Sequence, residues 1–176
     1  MNFIRNFYIK FFELFNILFK PIAMLGIRWQ LFKIFFYSGL AKWDGFLKPS
    51  QSAYDLFLYE NFCPEEPREG ALLLCDPKTL EYVEGSTTVQ YIKYFAVAAG
   101  VMEIVLPILL IIGLFTRFAA LGILAMTIFI QLAVFPSWGH WLNPAMWWAG
   151  AAAALIIIGP GKISLDHFLG FEKKVK

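Results

Sequence analysis

The chain has 176 residues, of which 59% are hydrophobic, 18% aromatic and 16% charged. An average soluble chain is roughly 45 to 50% apolar, so this composition points to a bilayer. The net charge of +2, with no basic stripe interleaved with aromatics, argues against nucleic acid as a partner. Two Cys and two His, far apart in sequence, are too few for a zinc or iron–sulfur site on their own, and no GxGxxG or Walker-type loop is present. No intrinsic haem, flavin or metal is expected.

Residues 1–20 place Phe3, Phe7, Phe11, Leu14 and Leu18 on one helical face and Asn2, Asn6, Lys10, Glu13 and Lys20 on another. This is the pattern of an amphipathic helix lying in the membrane interface. A cleaved signal peptide fits less well, because Lys10, Glu13 and Lys20 interrupt any apolar core and no small-x-small site follows. A first membrane span is expected over 21–41, with Pro21 at its start. It carries Arg28 and Lys33, which point about 140° apart on a helix, so one buried partner can hold only one of them directly.

Residues 42–90 form an acidic excursion, in which Lys42, Lys48, Arg68 and Lys78 are the only cations. Basic residues gather instead at Arg5, Lys10 and Lys20, at Arg117, and at Lys162, Lys173, Lys174 and Lys176. The positive-inside rule puts both termini and the Arg117 turn in the cytoplasm and the acidic loop outside. Within the loop, residues 50–62 read as a short helix, and 70–75 with 80–84 as a small hairpin around Asp76-Pro77-Lys78-Thr79. Cys63 and Cys75, in an oxidising compartment and without CxxC spacing, read as a structural disulfide.

The second span, 91–113, gathers Ala96, Ala99, Gly100, Glu103 and Pro107 on one side, where small residues admit a neighbouring helix. The third, 118–135, has Gln131 as its one strongly polar group. Residues 136–148 crowd Trp138, His140, Trp141, Trp147 and Trp148 together, the signature of a membrane interface. A fourth span covers 138–159; it is short after Pro144, so the helix starts before that proline or crosses thin bilayer. In the 160–176 tail, Pro160 and Gly161 end the span and Ser164 caps a short amphipathic segment. Gly159 to Ser164 mimics a phosphate loop but lacks its spacer and follows an apolar helix. The expected fold is an all-α membrane protein, a four-transmembrane-helix bundle with an amphipathic N-terminal helix and a small extracytoplasmic loop subdomain.

A carboxylate inside a span is expensive, which makes Glu103 a candidate site. Counting from the cytoplasmic ends puts Arg28 roughly 10 Å, Glu103 about 15 Å and Lys33 about 18 Å deep, so Glu103 can pair with Arg28 or Lys33. Such a pair either locks two helices together or marks a ligand site. The candidate polar network comprises Arg28, Lys33, Lys42, Glu103, Gln131 and His140; the last reads either as an interfacial amphipath or as a ligand contact.

Three groups of residues, in this order, resemble the DoxX family of small four-helix membrane proteins: Arg28 with Ser38-Gly39-Leu40-Ala41-Lys42; Glu103-Ile104-Val105-Leu106-Pro107 with Gly113-Leu114-Phe115-Thr116-Arg117; and Gly159-Pro160-Gly161-Lys162-Ile163-Ser164-Leu165-Asp166. The DoxX-like region is about 21–169, with an outer loop longer than the family pattern. The family is named for subunits associated with thiosulfate:quinone oxidoreduction, and members are also tied to oxidative-stress complexes and metal-linked operons. The resemblance implies a multi-pass inner-membrane protein, the small membrane subunit of a redox-linked complex. It would bind a quinone or similar apolar carrier near Glu103 and Arg28, while a protein partner supplies any metal or flavin. Any enzymatic role would be that of an oxidoreductase subunit without its own cofactor motif. The alternative is a non-enzymatic assembly or stress-related factor that docks another protein through its acidic outer loop; a homo-oligomer fits either reading. A transporter fits less well, since no inverted repeat is visible.

Overall fold

A computed structural model describes residues 2–45, 48–75 and 85–171. The described residues are helical, with no strand beyond a single isolated bridge between Trp43 and Pro49. The elements are α1 (Asn2–Leu40), α2 (Gln51–Asp55, continued by the π-helical turn Leu56–Asn61), α3 (Thr87–Ile112), α4 (Thr116–Phe129, continued by π-helical Ile130–Val134), α5 (Trp138–His140, then π-helical Trp141–Ala145), α6 (Met146–Ile158) and α7 (Leu165–Phe168). Among the described residues, three helices are long and apolar enough to cross a membrane: Thr87–Ile112, Thr116–Val134 and Trp138–Ile158.

The boundary expected at Pro21 is absent. Helix α1 continues through it for 39 residues, because the apolar, helix-forming residues on both sides outweigh the one hydrogen bond that proline cannot donate. Residues 3–20 are exposed throughout, whereas Met24, Arg28, Leu31, Phe35 and Gly39, three or four positions apart, face inward. Helix α1 packs along α3, α4 along α6, and contacts of α1 with α6 and of α3 with α4 complete the arrangement. Leu31, Phe35, Leu106, Leu110, Ala120, Ile123, Ala152 and Leu155 form the core between them. The last helical stretch does begin before Pro144, with a break at Asn143, whose backbone is extended.

Within the 50–62 stretch expected to be helical, Gln51–Asp55 and Leu56–Asn61 are. The turn and second run of the expected hairpin lie outside the described residues. Its first run is held otherwise: Leu72 N–H donates to the Ala133 carbonyl at 2.8 Å and Leu74 N–H to that of Phe62 at 3.0 Å. Cys63 and Cys75 are joined by a disulfide that ties this run to the end of the α2 π-turn.

Candidate functional site

The buried face of α3 reads like a ladder. Ile92 and Ala96 pack against Phe57, Leu58 and Phe62, from the segment between α1 and α3. Next comes Gly100, where an added Cβ would stand 3.1 Å from the Trp43 indole nitrogen. At Glu103 and Ile104, Gly39 of α1 approaches so closely that a Cβ there would come within 2.9 Å of the Glu103 carbonyl. Helix α1 therefore ends level with the middle of α3, and residues 43–45 and 48–62 fold over its end, alongside the N-terminal half of α3. This brings Lys42 to Glu103: Nζ donates to Oε2 at 2.6 Å and to the Ser38 carbonyl and Oγ, both at 3.2 Å. The two charged side chains are only 12% and 7% exposed, so this is a buried ion pair.

The expected pairing of Glu103 with Arg28 or Lys33 is thereby corrected. Arg28, fully buried, lies deeper towards the Arg117 turn, where its guanidinium donates to the carbonyls of Leu110, Ile111 and Ile163. The first two belong to the last turn of α3, where carbonyls outnumber backbone donors; that of Leu110 also accepts from the Gly113 N–H at 3.1 Å, and a guanidinium there suits the negative end of the helix dipole. Lys33 is exposed on the outer side of α1, away from Glu103. Gln131 and His140 meet each other instead: Gln131 Nε2 donates to the Ser137 carbonyl at 3.0 Å, which turns its Oε1 to His140 Nδ1 at 2.6 Å. That geometry places the imidazole hydrogen on Nδ1. His140 also stacks on Phe135 and meets the edge of Trp148.

Above the ion pair is a cavity of about 480 Å³. Its origin lies in how α3 and α4 diverge. They start from the tight turn at Gly113 and touch at Gly122, where a Cβ would come within 2.7 Å of Leu106. Beyond that contact they leave a gap, with Ala98, Ala99 and Met102 on one side and Ala125 and Met126 on the other, until the Phe95 and Phe129 rings meet with centres 5.5 Å apart. Ser38, Lys42 and Glu103 form the polar end; the α2 π-turn contributes Phe57, Glu60 and Asn61 as a roof, and Arg68 lies at the rim. The Arg68 guanidinium donates to the Glu60 carbonyl at 3.0 Å and sits 4.5 Å from the centre of the Phe135 ring. Volume, apolar wall and few convergent polar groups are those of a small-molecule site. Of the small residues in α3, Gly100 and Ala96 are occupied by Trp43 and the Phe57–Phe62 cluster, while Ala99 and its neighbour Ala98 leave the space.

A second cluster gathers at the opposite end. Asp166 Oδ1 and Oδ2 accept from the Phe115 and Thr116 N–H groups at 2.7 and 2.8 Å, capping the N-terminus of α4. The Asp166 N–H donates to the Gly113 carbonyl at 2.8 Å. Ser164 Oγ accepts from the His167 N–H, the cap expected from the sequence. Arg117 donates to the carbonyls of Ile156 and Ile157 at the end of α6. Gly113, at φ 73°, leaves room for both Arg28 and Ser164. This cluster joins helix termini; it has no comparable cavity above it.

The roles of Glu60, Asn61 and Arg68 were not legible in the sequence, where they read as ordinary loop polarity. Ser38 appeared in the sequence within the family-like Ser38–Lys42 run, one turn before Lys42, without a role of its own. Among the described residues, no group of three or more His, Cys, Asp and Glu is placed to hold a metal ion.

The family model described as DoxX matches residues 23–136, well over half of the chain. That stretch contains α1 from its first buried turn, the segment between α1 and α3, then α3 and α4. Neither a curated protein nor a solved structure matches the chain.

Proposed function

The chain belongs to the DoxX family, and we propose that it is a four-span inner-membrane protein whose cavity binds a quinone or similar apolar carrier, as the small membrane subunit of a redox-linked complex. The observation that carries this reading is the Lys42–Glu103 pair at one end of a largely apolar cavity. A buried ion pair is weak evidence for stability, since an apolar substitute often serves as well. One that borders an open, lipid-level cavity has a further use. Lys42 and Ser38 would donate to a ring carbonyl and Glu103 would accept from a ring hydroxyl; when bound, a quinone supplies two-electron redox chemistry. Partner proteins would provide the other redox centres.

Helix α1 supplies the fourth span in this reading. Its intramembrane Arg28 donates to three carbonyls, and Lys33 is long enough to snorkel towards the interface. The basic residues near the termini and at Arg117 support a cytoplasmic location for both ends. The exposed, aromatic-rich 3–20 segment fits an interfacial position.

The test is extraction of lipophilic molecules from purified protein, wild type beside Ala125→Phe, which fills the cavity from its exposed wall. An apolar carrier recovered stoichiometrically from the wild type and lost from a folded Ala125→Phe protein is the expected outcome. Equal recovery from both, or none from either, would refute it.

A further inference from the structure

The charges around the cavity are balanced. Lys42 and Glu103 form a contact pair, and at the other end Arg68 and Glu60 both line the space, giving two positive and two negative groups among its lining residues. The rest of the lining is apolar or uncharged, dominated by Phe57, Phe95, Met102, Met126, Phe129 and Phe135. An ion entering such a space gives up its hydration and finds no net counter-charge in return, whereas a neutral hydrogen-bonding group finds donors and acceptors already in place. The split between α3 and α4 supplies the second element. These helices are closed at Leu106 and Gly122, and beyond that contact Phe95, Met102 and Phe129 are all exposed on apolar helices, which in the membrane-spanning reading face lipid.

We propose that the cavity selects a net-neutral amphiphile, whose uncharged hydrogen-bonding head reaches the Lys42–Glu103 pair while its apolar tail lies in the α3–α4 split. This rests on the ligand-binding reading above and specifies what is excluded: fatty-acid-like anions and alkylammonium-like cations. The ion pair is then a selectivity device. Neutralising either partner shifts the cavity by one unit of charge, and the preference should follow the sign. Electrostatic complementarity of this kind discriminates against the wrong partner by leaving it unpaired.

The experiment uses full-length protein in nanodiscs, with dodecanol, dodecanoate and dodecylamine as probes of equal chain length. Retention above empty nanodiscs is read by mass spectrometry. Wild-type protein should retain dodecanol at least about tenfold more than either charged probe, a difference that corresponds to roughly 1.4 kcal/mol. Glu103→Gln should raise dodecanoate retention relative to dodecylamine, and Lys42→Met should do the reverse. Arg68→Gln, at the rim and outside the buried pair, should shift preference towards dodecylamine, so the inference stays testable if Lys42→Met does not fold. Wild-type retention of either charged probe at or above dodecanol, or folded variants whose preference does not follow the charge, would overturn the selectivity while leaving ligand binding intact. Retention of no probe by the wild type would overturn both.

Discussion

Replacing Lys42 by Met leaves the Glu103 carboxylate, 7% exposed, without its partner at 2.6 Å. Removing one side of a buried pair costs on the order of 3 to 5 kcal/mol. Glu103→Gln is milder, because Lys42 keeps both Ser38 acceptors at 3.2 Å and the amide oxygen can still accept from it; a loss of roughly 1 to 3 kcal/mol follows from weakening one charged hydrogen bond. The double replacement Lys42→Met/Glu103→Met removes both charges and fills the space with apolar groups, so its net cost should be only about 0 to 2 kcal/mol. At about 2 to 4 °C per kcal/mol for a chain of this size, Lys42→Met should melt about 6 to 20 °C lower and the double less than about 8 °C lower. The six tryptophans give an intrinsic fluorescence readout of melting in detergent without added dye. If the double variant loses as much as the two single Met replacements combined, the two residues do not interact, and the pair is not what joins the end of α1 to α3.

Gly113→Ala adds a Cβ that overlaps Arg28 Nη1 and lies 2.8 Å from Ser164 Cα, at a residue with φ 73°. A left-handed conformation alone costs roughly 1 to 2 kcal/mol for a non-glycine residue, so a total loss above about 2 kcal/mol is expected in the same melting assay. Asp166→Ala removes the cap from two α4 N–H groups and should destabilise by about 0.5 to 2 kcal/mol without altering ligand recovery. Replacing both Cys63 and Cys75 by Ser opens a loop with a sequence separation of 12; a loss of about 3 kcal/mol is expected, and mass spectrometry after alkylation of non-reduced wild-type protein should show neither thiol modified. For orientation, a single thiol placed at Ser86 in a Cys63→Ser/Cys75→Ser background should be labelled by an impermeant reagent in intact cells and one at Lys162 protected; the opposite pattern would invert the topology.

The sequence by itself determined the helical character, the apolar runs and the inward stripes. Met24, Leu31 and Phe35, or Ile92, Ala96, Gly100 and Glu103, recur at helical spacing whatever their neighbours. It also determined the local devices, such as the Ser164 cap and the reading of Cys63 and Cys75 as a bonded pair, because these depend on residues close along the chain. The tertiary structure alone decided which cation meets Glu103. Depth counting treats each span as starting from a common plane, but α1 runs unbroken through Pro21, and its far end comes level with the middle of α3. That offset sends Arg28 to the last turn of α3 and brings Lys42, just beyond the end of α1, to the carboxylate. The cavity was equally invisible, since it exists only where α3 and α4 part above Leu106 and Gly122 and a π-helical turn closes over the gap. Periodicity fixes the face a residue takes on its own helix; its height against a neighbouring helix is set by where the two helices touch and how they diverge.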